Sequence, residues 1–262
     1  MRLAALYDIH GNLPALEAVL TEIERAGVDR VVVGGDVLPG PMAPETLERL
    51  QSLTVPTEFL RGNGDRETLQ ERPDRPSRVP EPARQQLRWC RRLLSGAQAL
   101  TIEAWPLTLR YDVPRVGSVL FCHATPRNDE EVFTHLVPEP LLQPIFDGVA
   151  DLVVCGHTHV QFDMMVGRTR VVNAGSVGMP FGTTGAHWLL IDSGRSGDLP
   201  AREAVELRRT TYDLDAAAAA VRRTAFPEAE QFASVYILNP PDMLETFTTY
   251  ARASLEGAAH GA

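Results

Sequence analysis

The stretch Leu3-Ala4-Ala5-Leu6-Tyr7-Asp8-Ile9-His10-Gly11-Asn12 decides the fold: an apolar run breaks into a short polar turn carrying an acid and an imidazole. Four more pieces repeat that grammar. Val31-Val32-Val33 leads into Gly34-Gly35-Asp36, and Thr57-Glu58-Phe59-Leu60 leads into Arg61-Gly62-Asn63-Gly64-Asp65. Ser118-Val119-Leu120-Phe121-Cys122 leads into His123, and Asp151-Leu152-Val153-Val154-Cys155 into Gly156-His157-Thr158-His159. Runs of this length and composition read as buried strands. Five polar turns at five strand ends can converge on one sheet edge, and in open α/β sheets the carboxyl ends of the strands are where ligands usually bind.

Helical spacing separates the first strands. Leu13, Leu16, Val19, Leu20 and Ile23 share a helical face, with Asn12 placed to cap the helix and Gly27 to end it. A second helix is expected near Ala43 to Leu53, with Leu47 and Leu50 on one face. Strand, helix, strand, helix, strand predicts parallel pairing with right-handed crossovers. Residues 66–84, rich in Arg, Pro and Glu, read as a surface excursion before a helix through Leu87, Trp89, Leu93 and Leu94. Strand patterning from about Leu100 to Val113 and from Gly117 to Cys122 begins a second sheet. Pro138 to Val149 reads as helix, and short strands are expected near Gln161 to Val166, Arg170 to Asn173, Ala186 to Ile191 and Ala204 to Arg209. Helices are expected over Leu214 to Thr224 and Asp242 to Leu255. The expectation is an α/β fold in one domain, residues 1–262, with a mobile tail at 256–262.

The charge balance narrows the partners. A net charge of -9 leaves no basic stripe to replace phosphate counterions, so a nucleic-acid-coating surface is not expected. Small anionic substrates fit if metal ions supply local positive charge. All 25 basic residues are arginine, which removes lysine Schiff-base chemistry. The scattered Cys90, Cys122 and Cys155 fit a reducing compartment and read as small buried apolar groups. No signal segment and no apolar stretch of roughly 20 residues is present, so the expected location is the cytoplasm, with no membrane partner.

Seven side chains in these turns can bind metal: Asp8, His10, Asp36, Asn63, His123, His157 and His159. Two divalent ions about 3.5 to 4 Å apart need carboxylate, imidazole and amide ligands, one of them a short carboxylate able to bridge. Asp36 is the natural bridge, because the Gly-Gly turn before it lets the backbone approach closely. Side chains two residues apart at a strand end face the same way, so Asp8 and His10 can reach one ion, and His157 and His159 share that spacing. Such a pair of metals can hold a hydroxide that is a nucleophile at neutral pH.

Taken in order, Asp8-Ile9-His10-Gly11-Asn12, Gly34-Gly35-Asp36, Gly62-Asn63-Gly64-Asp65, His123-Ala124-Thr125-Pro126 and Gly156-His157-Thr158-His159 resemble the calcineurin-like metallophosphoesterases. The resemblance implies a four-layer fold, a two-sheet β-sandwich flanked by helices, and a dinuclear centre with manganese first among iron, zinc and nickel. It assigns Asp8, His10 and His159 to one ion and Asn63, His123 and His157 to the other, with Asp36 bridging. Asp36, Asn63 and His123 are the catalytic candidates. Many relatives carry a histidine after the motif asparagine that can protonate the leaving group; here the position is Gly64. That departure resembles the small bacterial and archaeal phosphodiesterase branch.

The expected activity is therefore hydrolysis of a small soluble phosphodiester or nucleotide, with dinucleoside polyphosphate cleavage as the alternative and a non-catalytic binding scaffold as a more distant one. Asn12 and Arg127 are candidate substrate contacts, Arg127 ahead of Arg61 and Arg66. Asp65 is expected to hold the Asn63 loop in shape. Ser176 is read as a turn residue, and His135, His187 and His260 as surface or packing residues.

Overall fold

The computed structural model describes the chain except residues 73, 75–78, 195–200 and 258–262. The first sheet contains β1 (Arg2–Leu6), β2 (Arg30–Val33), β3 (Thr57–Phe59), β9 (Ala186–Asp192) and β10 (Val205–Thr210), in the order β10-β9-β1-β2-β3. The second contains β4 (Thr108–Val113), β5 (Gly117–Cys122), β6 (Leu152–Cys155), β7 (Phe162–Val166) and β8 (Thr169–Asn173), in the order β4-β5-β6-β8-β7. β1 pairs parallel with β2 and β2 with β3, while β5 pairs parallel with β6. All five turns singled out in the sequence follow strands of these parallel sets, so they emerge at the carboxyl ends of β1, β2, β3, β5 and β6.

Period-two alternation divides the layers. Leu3, Ala5 and Tyr7 point between the sheets with Val32, Phe121 and Val154. Ala4, Leu6, Val31 and Val33 point the other way, onto the buried stripe of α1 (Leu13–Ala26) and onto Leu47 and Leu50 of α2 (Ala43–Gln51). Leu120, Cys122, Val153 and Cys155 face Leu142, Ile145 and Phe146 of α6 (Glu139–Phe146) and Ala251 and Leu255 of α9 (Leu244–Gly257). The result is helix, sheet, sheet, helix, as the family resemblance implied. The Tyr7 hydroxyl crosses the middle layer to donate to the Val154 carbonyl at 2.9 Å.

Several boundaries differ from expectation. Leu100 lies in a helix, α5 (Gly96–Glu103), and the strand starts only at Thr108. The reason is a reciprocal cap: Ser95 Oγ accepts from Gln98 N–H at 3.1 Å and Gln98 Oε1 from Ser95 N–H at 2.9 Å, which starts a helix where alternation suggested a strand. The third motif is also helical at its end. α3 (Asn63–Gln70) occupies the start of the expected excursion, and α4 (Glu81–Leu93) follows it. A π-helical segment, Phe232–Leu238, continues from the short α8 (Ala229–Gln231) and follows α7 (Leu214–Arg222). Of the tail expected to be mobile, Glu256 belongs to α9, whereas 258–262 and with them His260 lie outside the described residues.

No helix among the described residues is long and apolar enough to cross a membrane. The three cysteines are free and buried, and burial raises the Cys90 thiol to about 12.

Candidate metal centre

The five turns meet at one edge, and their backbone is unusual. Among the described non-glycine residues with left-handed φ, five are motif residues: Asp8 (53°), His10 (45°), Asp36 (51°), His157 (67°) and His159 (58°). Such conformations are sparsely populated outside glycine and persist where surrounding structure enforces them, typically at functional sites. Here enforcement comes from neighbouring turns. Asp8 N–H donates to the Gly35 carbonyl at 3.1 Å, His10 N–H to the Asp36 carbonyl at 3.0 Å, and His157 N–H to Asp8 Oδ2 at 2.9 Å. Gly35 must be glycine, since its φ is +88° and a Cβ would stand 2.6 Å from Gly62 N and 2.7 Å from His123 Nδ1.

Two overlapping groups of buried ligand atoms result: Asp8, His10 and His159, and Asp8, Asp36 and His123. His159 Nε2 is 3.3 Å from Asp8 Oδ1, and His10 Nε2 is 3.4 Å from His159 Nε2. Asp8 is common to both groups, its Oδ1 also 3.8 Å from His123 Nε2, and Asp36 of the second group reaches the first, with Oδ2 3.6 Å from His10 Nε2 and Oδ1 3.5 Å from His123 Nε2. Asn63 Oδ1 is 3.1 Å from His123 Nε2. His157 belongs to neither buried group; its ring packs edge-on against His123 with centroids 5.2 Å apart.

Three imidazoles are held in one tautomer. His10 Nδ1 lies 3.1 Å from the Pro39 carbonyl, His123 Nδ1 2.9 Å from the Gly34 carbonyl, and His159 Nδ1 2.6 Å from the Met179 carbonyl. A carbonyl only accepts, so each Nδ1 carries the hydrogen and each Nε2 faces the centre, the arrangement that orients imidazoles toward metals. Asp8 Oδ1 is buried with no hydrogen-bond donor of its own. An orphaned carboxylate oxygen facing imidazole nitrogens fits a cation, because burying it unpaired is costly.

The electrostatics agree. Burial opposes charge on His123, but the Asp36 and Asp8 carboxylates outweigh it and raise its pKa to about 10. Burial pushes Asp36 upward, yet His123 and His10 hold it well below the usual carboxylate range. His157 moves the other way, to about 4, through burial and the neighbouring His123. The carboxylates thus attract positive charge to this edge, whether a proton or a metal cation supplies it.

Asp65 shapes the centre from behind, as expected. Its Oδ2 accepts from Asp36 N–H at 2.9 Å and Gly62 N–H at 3.1 Å, and Oδ1 from Leu38 N–H at 3.0 Å. Gly64 N–H, at the positive end of α3, donates to Asp36 Oδ1 at 2.7 Å. A Cβ on Gly64 would lie 2.5 Å from the Leu38 carbonyl oxygen and 3.0 Å from both Asp36 carboxylate oxygens. Gly64→Ala should therefore destabilise the fold by about 1–3 kcal/mol through overpacking and displace Asp36. Urea denaturation and metal stoichiometry check this; wild-type values for both would show that the contact is relieved without cost.

Asn12 and Arg127 have other partners. Asn12 caps α1 by accepting from Ala15 N–H at 3.2 Å and donates to the Gly178 carbonyl at 2.9 Å and the Tyr212 hydroxyl at 3.3 Å. Arg127 pairs with buried Glu131 and donates to the Leu255 carbonyl at 3.3 Å. Asn12 is fully buried and committed to these bonds, whereas the Arg127 side chain remains 37% exposed. Arg66 holds Asp129 bidentately and Arg61 donates to the Glu103 carbonyl.

A supporting loop escaped the sequence reading. Ser176 Oγ donates to the Asp8 carbonyl at 2.7 Å, and Asn173 donates to the Gly156 carbonyl at 2.6 Å and to Thr158 Oγ1 at 3.1 Å. Its small-residue composition was visible, but nothing in it says which carbonyls it serves. His135 is exposed beside Phe162, away from these groups.

His187 is buried on β9, its Nδ1 without a partner and its Nε2 3.1 Å from Thr183 Oγ1. Burial and then Arg209 depress its pKa to about 4. A depressed imidazole contributes stability that is present above the unfolded value of about 6.5 and lost as pH falls through about 4. His187→Gln should flatten the decline in unfolding free energy between those pH values by up to about 3 kcal/mol; an unchanged slope would mean another group carries it.

The chain belongs to the calcineurin-like phosphoesterase superfamily, whose domain model matches residues 1–195. The family is metal-dependent, in keeping with the clustered Asp and His groups. An uncharacterized protein of Methanocaldococcus jannaschii is 25% identical over 244 residues, covering 86% of this chain and 94% of that protein. Among solved structures, a hypothetical protein of Pyrococcus horikoshii shares the fold with a TM-score of 0.75 at 19% identity, over 92% of this chain and 99% of that one. A metallophosphoesterase of Sphaerobacter thermophilus shares it with a TM-score of 0.66 at 22% identity, over 90% and 99%.

Proposed function

We propose that this chain hydrolyses a small soluble phosphodiester at a dinuclear centre of divalent ions, manganese first among iron, zinc and nickel. Asp8, His10 and His159 would hold one ion and Asn63, His123 and His157 the other, with Asp36 as the ligand they would share. The observation that carries this reading is the placement of Asp36, whose two oxygens each face an imidazole Nε2 of a different group, at 3.6 and 3.5 Å. Bound ions supply Lewis acidity that neutralises phosphoryl oxygens and brings a water pKa from 15.7 to about 7.

The chain's own residues do the rest. The Pro39, Gly34 and Met179 carbonyls keep three imidazoles aimed inward. Asp65 and the Gly64 N–H fix the Asp36 carboxylate in place, so little reorganisation is needed when charge develops on the substrate. Two carboxylates against two divalent ions leave the edge net positive, which attracts an anionic ester to an otherwise acidic chain.

Gly64 supplies no proton to a departing oxygen, and the Leu38 carbonyl leaves no room for a side chain that would. The preferred substrates are therefore those with good leaving groups. A metal-reconstituted panel of diesters, alkyl monoesters, cyclic nucleotides and dinucleoside polyphosphates tests this. Diesters should lead; equal turnover of alkyl monoesters would refute the leaving-group argument, and a lead by the polyphosphates would reassign the substrate.

A further inference from the structure

Beside His159 the structure carries an aromatic wall that the metal chemistry does not use. The Phe181 ring stacks on the His159 ring with centroids 5.1 Å apart and planes 18° from parallel. Phe247 leans against Phe181 at 5.7 Å, and Tyr236 meets it edge-on at 6.3 Å. All three rings are half-buried. Phe181 and Phe247 join none of the three apolar clusters of the fold, neither as buried members nor as side chains packed on them.

Two features argue against simple packing. First, α9 is anchored without Phe247: Ala251 and Leu255 enter the third core, the Thr248 and Thr134 hydroxyls are 2.6 Å apart, and Ser254 Oγ accepts from Val132 N–H at 2.8 Å. Second, Tyr236, which packs on the first core and edge-on against Phe232, stands on the π-helical segment, a conformation that is rare and recurs at functional sites. Tyr236 and Phe247 also lie beyond residue 195, where the match to the family domain ends. The wall thus joins a loop within the family match to residues outside that match.

We propose that Phe181, Tyr236 and Phe247 form a subsite beside the metal ligands that receives a flat aromatic substituent of the phosphoester substrate, a nucleobase or an aryl ring. The inference rests on the phosphoesterase reading for its site. Ring faces and edges at mutual tilts favour a planar π-system over an alkyl group of equal area. The Tyr236 hydroxyl has no protein partner among the described residues and can bond the polar rim of such a ring.

Binding and turnover separate the two readings. Calorimetry on the manganese-loaded protein compares phenyl-, cyclohexyl- and methylphosphonate, and AMP against ribose 5-phosphate, while hydrolysis of methyl 4-nitrophenyl phosphate reports the chemistry independently. Phenylphosphonate should bind about tenfold more tightly than cyclohexylphosphonate, and Phe247→Leu and Tyr236→Leu should each bring that ratio towards one. A preference for AMP over ribose 5-phosphate assigns the ring to a nucleobase; its absence, with the phenyl preference kept, assigns it to a simple aryl group. Equal binding of phenyl and cyclohexyl ligands, a phenyl preference surviving both substitutions, or no phosphonate binding would each overturn the subsite. Hydrolysis without ring preference overturns the subsite alone, and ring preference without hydrolysis overturns the phosphoesterase reading alone.

Discussion

Asp36→Asn is expected to lower phosphoester turnover by about a thousandfold or more, with the fold intact. The carboxylate faces His10 through one oxygen and His123 through the other, whereas Asp8, the residue common to both groups, meets His159 and His123 through the single oxygen Oδ1. An amide has one oxygen ligand and no charge, so the substituted side chain could not hold two cations as the carboxylate would. Metal content should fall from about two ions per chain towards one. The substitution is nearly isosteric, and the Asp65 bond to the Asp36 backbone N–H is untouched, so unfolding free energy should change little. Wild-type turnover in Asp36→Asn would show that the bridge lies elsewhere.

Asp65→Ala is expected to have the largest effect on stability. Its carboxylate satisfies three backbone N–H groups, on Asp36, Leu38 and Gly62, in a region closed to water. A buried donor left unsatisfied costs about 1–3 kcal/mol, and the three share one site, so a loss of about 3–5 kcal/mol is expected. At about 2–4 °C per kcal/mol for a chain of this size, Tm should fall by about 10 °C. Asp65→Asn retains one oxygen acceptor and should fall between the two. Differential scanning calorimetry checks the order; equal Tm values for wild type and Asp65→Ala would mean that the loop is held by other bonds. Burial and the Asp36 charge raise the Asp65 pKa to about 7, against the pull of the Gly62 and Leu38 N–H groups, so the carboxylate sits here at an electrostatic cost that a nearby cation relieves.

The five motif turns were legible because acids, imidazoles and an amide recur after apolar runs, and residue type and order are sequence properties. The parallel pairing that gathers them followed from the helical spacing between β1, β2 and β3. What surrounds the turns was less legible. The tautomers of His10, His123 and His159 are fixed by the backbone carbonyls of Pro39, Gly34 and Met179, and a carbonyl leaves no mark in residue type. The left-handed backbone at Asp8, His10 and Asp36 falls on non-glycine residues and is enforced from outside each turn.

Gly64 shows both sides of the limit. Its identity was plain, and a missing proton donor could be inferred from it. That a side chain cannot be added there is a fact about Leu38, 26 positions earlier, which turns its carbonyl to within 2.5 Å of the missing Cβ. Leu100 shows a different kind of limit: the reciprocal bonds of Ser95 and Gln98 carry the chain into a helix that alternation alone did not reveal. The π-helical turn under Tyr236 had no sequence signature in this reading, because its apolar residues suit an ordinary helix equally well.

The central claim is that this edge is a dinuclear metal centre performing phosphoester hydrolysis. Its most direct test is stoichiometric reconstitution of the metal-stripped chain with manganese while bis(4-nitrophenyl) phosphate hydrolysis is followed. Activity should be absent without metal, rise with added ion and level off at about two ions per chain. Hydrolysis that persists in the stripped protein, or a chain that binds two ions and stays inert on this ester, would contradict it.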